Sequence, residues 1–82
     1  MVEVRIRLGS GLARLAPAPM LRFDLPEGAT VEDLYDRLAT THPELAPGLQ
    51  STLAVVQGAH VERSQALSDG DEVALLTAVS GG

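Results

Sequence analysis

The chain has 82 residues, a formal charge of −5 and no cysteine. That length admits one domain with a modest core, since a chain this small buries only about 60–65% of its unfolded surface. The lack of cysteine excludes disulfides, thiolate metal sites and a cysteine nucleophile. All six basic residues are Arg, and there is one Phe, one Tyr and no Trp, so the chain offers a nucleic acid neither phosphate neutralisation nor stacking platforms.

The N-terminal stretch "VEVRIRL" alternates strictly. Val2, Val4, Ile6 and Leu8 point one way and Glu3, Arg5 and Arg7 the other, which predicts a strand with one wet face. "GSGLARLAPAP" is rich in Gly and Pro and reads as a loop. "MLRFDL" alternates again, so the first two strands suggest a hairpin. From Thr30 the period changes. Thr30 is a good N-cap, Asp33 resembles the second half of a capping box, and Val31, Leu34 and Leu38 form an apolar stripe with Tyr35 between. Pro43 stops this helix near Thr41 or His42. "PELAPGLQ" reads as a loop or a short 3₁₀ turn, and "STLAVVQG" as a buried strand. A short edge strand at His60–Glu62 follows, then a tight turn at Ser68–Asp71 and a last strand at Glu72–Leu76. The expected architecture is α+β, a mixed sheet of four to five strands with one main helix packed on one face. No apolar run reaches the ~20 residues of a membrane span, and "MVEVRIRLGS" is not a signal-peptide core. A cytoplasmic protein is expected.

Several stretches invite a chemical reading and do not sustain it. "GSG" with Arg14 lacks the Lys and the following helix that a phosphate loop needs, because Pro17 and Pro19 intervene. Asp69, Asp71 and Glu72 cluster carboxylates, but without the longer ligand spacing of a calcium loop; a polar turn before a strand is the better reading. No metal site is expected. His42 and His60 have no Ser, Cys or carboxylate motif beside them that would make a catalytic set. Glu3, Glu27 and Glu44 suggest no acid–base pair.

The remaining feature is the end, "TAVSGG". From Leu76 to Gly82 an extended chain could span about 20 Å at ~3.3 Å per residue. Such an arm could enter a narrow active site and deliver a carboxylate, and a Cβ at either of the last two positions would widen it. Glycines there suit a chain whose terminus is itself a substrate.

The segments "LSDGDEVALLTAVSGG", "ATVEDLYDRLATTHPEL" and "VEVRIRL" together resemble the MoaD/ThiS sulfur-carrier family, closest to its molybdopterin synthase small subunits. The resemblance covers most of the chain and is weakest in residues 9–19 and 44–52. It implies a ubiquitin-like β-grasp domain over residues 1–76 and a flexible, extended C-terminal tail over residues 77–82. It also implies a carrier role in molybdopterin synthesis. An E1-like partner would adenylate Gly82 with ATP, and a sulfur donor would displace AMP to leave a thiocarboxylate for an acceptor enzyme. Gly81 would keep the tail thin. The chain itself would bind no cofactor and would be a non-catalytic subunit; ATP would be used by the activating partner. No nucleic acid or membrane partner is expected.

Docking is expected on the sheet face opposite the helix, through Arg5, Arg7 and Leu76, with Val79 contributing from the tail. Two departures from the family pattern stand out. Thr77 and Ala78 occupy positions where many molybdopterin-type members have prolines, and the outer face of the first strand is charged, leaving Leu76 of the last strand as the one large apolar docking candidate. The same chemistry could feed thiazole, cysteine or another sulfur metabolite. A ubiquitin-like protein modifier and a plain binding module are the other readings. Because the chain has no Lys, a modifier of this sequence could not form lysine-linked chains on itself.

Overall fold

Strands form wherever apolar and charged residues alternate, and the helix forms where the period becomes helical. The computed structural model describes residues 1–14 and 20–77. In chain order these are β1 (Val2–Leu8), α1 (Ser10–Ala13), β2 (Met20–Leu25), α2 (Val31–Thr41), a 3₁₀ turn (Pro43–Leu45), α3 (Ala46–Leu49), β3 (Thr52–Val56), β4 (Ala59–Val61) and β5 (Glu72–Thr77). The sheet order is β2-β1-β5-β3-β4. All neighbouring pairs are antiparallel except β1 and β5, the first and last strands, which lie parallel. This is the expected mixed sheet, a ubiquitin-like β-grasp, with α2 across one face.

The helix forms for local and tertiary reasons. Thr30 accepts from the Asp33 amide through Oγ1, and Asp33 accepts from the Thr30 amide, so the capping box is complete. Val31, Leu34, Tyr35 and Leu38 face the sheet and are buried. They meet Val4, Ile6, Val73 and Leu75, all fully buried, in an aliphatic core. Pro43 follows the His42 C-cap and ends the helix at Thr41. A buried polar side chain beside this core, Thr52, is satisfied. Its hydroxyl donates to the Leu49 carbonyl at 2.7 Å, so the Tyr35 hydroxyl, 2.8 Å away, donates to Thr52 Oγ1.

The segment read as a loop contains a helical turn, and the one read as a loop or a short 3₁₀ turn contains that 3₁₀ turn and a further helical turn. In the first, α1 buries Leu12. In the second, α3 buries Leu49, while Leu45 is buried in the preceding 3₁₀ turn. The two turns pack together so closely that a Cβ at Gly48 would lie 2.7 Å from Leu12 Cδ2. Gly9 lets the chain pass β5: its amide donates to the Leu75 carbonyl at 3.0 Å, and a Cβ there would sit 3.1 Å from that oxygen. The last strand runs to Thr77, which pairs with Thr52, one residue beyond the expected end.

Candidate functional site

The sheet has one face free of helix, and alternation decides what stands on it. Arg5 and Arg7 project from β1, Glu72, Ala74 and Leu76 from β5, and Leu53 and Val55 from β3, because their neighbours in sequence are the buried residues of the other face. Register brings the apolar members together. Leu53 lies opposite Leu76, and Val55 opposite Ala74. Leu53 and Leu76 are 45% and 47% exposed, unusual for leucines in mid-sheet. This pair sits at the end of β5 from which the chain continues beyond Thr77.

Polar side chains flank the neighbouring Val55–Ala74 pair. Ala74 has Arg7 beside it on β1, and Arg7 Nη2 is held 3.0 Å from Glu72 Oε2. Arg5 lies opposite Glu72 in the parallel register and opposite Arg22 on β2. On the far side His60 lies opposite Val55. The arrangement is a small apolar centre with a polar margin, the anatomy of a protein contact surface rather than of a catalytic cleft.

The structure thus places Arg5, Arg7 and Leu76 on one exposed face, away from the helix, as the alternation predicts. It corrects the expectation that Leu76 is the only large apolar side chain there. Leu53 is its cross-strand partner, missed because "STLAVV" reads as a strand buried on both faces. The signal that could have found it is the antiparallel pairing of β3 with β5, which puts residue 53 opposite residue 76. Gly81, Gly82 and Val79 lie outside the described residues.

The other stretches weighed for chemistry serve the fold. The amides at the start of α2 are already occupied: Val31 donates to the Gln65 carbonyl and Glu32 to that of Arg63, both at 2.9 Å. No donors remain at that helix end for an anion. Asp69 accepts from the Glu3 amide, and Asp71 from that of Ser68, each at 2.8 Å, so these carboxylates shape the turn before β5. Among the described residues no three His, Cys, Asp or Glu side chains gather as metal ligands. His42 caps α2, its ring centroid 6.4 Å from that of Phe23 and Nδ1 3.7 Å from Glu44, and His60 is exposed on β4. A depression of about 430 Å³ lies far from the leucine pair, between the end of β2 and α2, lined by Leu25, Asp33, Asp36 and Arg37 among others. It holds no nucleophile with an adjacent base.

The ThiS family profile matches residues 12–82. The chain belongs to this family. Over 62 residues it is 36% identical to the molybdopterin synthase sulfur carrier subunit of Chlamydomonas reinhardtii, covering 73% of this chain and 75% of that one. Among solved structures, it resembles SAMP1 from Haloferax volcanii with a TM-score of 0.86 and 30% identity, over 98% of this chain and 99% of that chain. It also resembles a putative molybdopterin converting factor, subunit 1, from Pyrococcus furiosus, with a TM-score of 0.87 and 26% identity, over 96% of this chain and all of the other. The ThiS-family fold is therefore common to sulfur-carrier and small-modifier proteins. Among the described residues no helix is long and apolar enough to cross a membrane.

Proposed function

We propose that this chain is the sulfur-carrying small subunit of a molybdopterin synthase, acting in the cytoplasm. The Gly82 carboxylate attacks the α-phosphate of ATP on an E1-like enzyme, releasing pyrophosphate and leaving an acyl-adenylate. A donor protein's persulfide then attacks the acyl carbon and AMP departs; a second thiol cleaves the resulting acyl disulfide, leaving a terminal thiocarboxylate and a disulfide between that thiol and the donor. The synthase large subunit uses that sulfur on its pterin precursor. Gly81 keeps the arm narrow enough to reach both active sites, and Val79 adds a contact along it. The observation that carries this reading is the exposed Leu53–Leu76 pair at the end of the strand that leads towards the Gly-Gly sequence. The likeness to a molybdopterin synthase sulfur carrier subunit supports the choice of acceptor.

The test is reconstitution with an E1-like enzyme, ATP and a sulfur donor, followed by a thiol-reactive alkylator. A cysteine-free chain should label only on the peptide containing Gly82, and deletion of Gly82 should abolish labelling while the melting curve stays in place. Labelling elsewhere, or activation that survives the deletion, would sink the carrier reading. The loaded chain is then given separately to a molybdopterin synthase large subunit and to a thiazole synthase, each with its substrates. Sulfur appearing only in thiazole moves the chain to that pathway. The likeness to SAMP1, a small archaeal modifier protein, favours one second reading, conjugation to target proteins. Gly82 found in amide linkage to target lysines, with no sulfur transfer, would establish it.

A further inference from the structure

A sheet edge and its charges point to a second copy of this chain. Among the described residues β2 pairs only with β1, so its other edge is open over all six residues, Met20–Leu25. Its register with β1 is continuous from Met20 to Leu25, without a bulge. The opposite edge strand, β4, has three residues. Short strands and bulges are two of the usual protections of an edge, and β2 has neither; it carries two charges, Arg22 and Asp24.

The charges on β2 are poorly matched inside the monomer. Directly across from Arg22 on β1 stands Arg5, and across from Asp24 stands Glu3. Like charges facing each other across strands are destabilising. The relief is diagonal: Arg22 reaches Glu3 Oε2 at 3.5 Å, with Arg22 still 69% exposed.

An antiparallel, two-fold pairing of β2 with itself corrects this mismatch in one register. Registers that keep the buried face of one copy beside that of the other are centred on a single residue. Centring on Arg22 sets arginine against arginine, and centring on Asp24 sets aspartate against aspartate. Centring on Phe23 sets Arg22 against the second copy's Asp24, twice by symmetry. On the other face it sets Leu21 against Leu25 and Phe23 against Phe23. Leu21 and Phe23 are only partly buried by their own core. We infer that two copies of this chain associate through β2 in the Phe23-centred register, joining their two five-stranded sheets into one continuous sheet with both α2 helices on one side.

A pairing of six-residue strands, about 20 Å long, is a small contact, so the association is weak and concentration-dependent. It leaves the Leu53–Leu76 face open, because β1 separates β5 from the paired edge. It does not depend on the carrier reading.

The experiment is sedimentation equilibrium of the full chain over a concentration series reaching the millimolar range. Wild type should show a reversible monomer–dimer equilibrium. Asp24→Arg should weaken it at least about tenfold, since both favourable cross-strand pairs become repulsive. The double exchange Arg22→Asp with Asp24→Arg should return it to within about threefold of wild type. That exchange also sets an aspartate opposite Arg5 and an arginine opposite Glu3, so it should fold at least as well as wild type, which a melting curve checks. A chain that stays monomeric throughout overturns the inference. So does an Asp24→Arg variant that associates as tightly as wild type, or a double exchange that folds and fails to restore the dimer.

Discussion

The two faces of the central sheet are made by the same strands and obey opposite rules. On the helix side Val4, Ile6, Val73 and Leu75 are fully buried under Leu34 and Leu38. One residue along, Arg5, Arg7 and Leu76 stand in solvent. The first face spends its apolar area on stability. The second leaves a leucine pair exposed, which contributes little to folding and makes sense only against another surface. Substitutions on the first face should therefore change melting, and those on the second should change binding.

The sharpest way to break this division is on the buried face. Leu34→Ala should cost roughly 2–5 kcal/mol of stability, read from denaturant unfolding, because the side chain is fully buried and the surrounding sheet relaxes only in part. An unfolding midpoint that does not move would show that the helix is not anchored there. Next in size is Thr52→Val, which removes the acceptor of the Tyr35 hydroxyl and the donor to the Leu49 carbonyl. A loss of about 1–3 kcal/mol is expected by the same measurement.

On the open face the expected signature is reversed. Leu53→Ala should leave stability within about 0.5 kcal/mol. It should weaken the proposed complex with an E1-like enzyme about tenfold, mainly through faster dissociation in surface plasmon resonance. Equal affinity for the variant would remove Leu53 from the contact. The smallest effect is that of Arg7→Glu, a change of about threefold in association rate at low salt that closes as salt rises. A change independent of salt would mean that Arg7 acts by shape instead of charge.

Much of the fold was legible because two periods were clean. Val2 to Leu8 alternate without exception, and Thr30 with Asp33 announced the helix before its apolar stripe began. What escaped was packing that spans unrelated segments. Leu12 and Leu49 sit in stretches punctuated by Gly and Pro, which mark loops locally. Only their burial, and the close approach of Leu12 to Gly48, reveal one-turn helices closing the core. Leu53 escaped for a related reason. An apolar strand does not declare which face is wet until its partner is known, and the partner here, Leu76, lies far along the chain. The outward side of Arg5 and Arg7 was legible because strict alternation leaves no second choice.

The parallel pairing of the first and last strands has a consequence for synthesis on the ribosome. Residue 5 meets residue 72, and β5 separates β1 from β3. A nascent chain that has exposed only β1, β2 and α2 holds a hairpin and a helix whose apolar faces have no central strand between them. The sheet closes only after residue 77 has cleared the exit tunnel, so the fold is completed late, through contacts distant along the chain that slow the final step. Until then the apolar sides of β1 and α2 are open to chaperones, and any truncation short of β5 leaves them so.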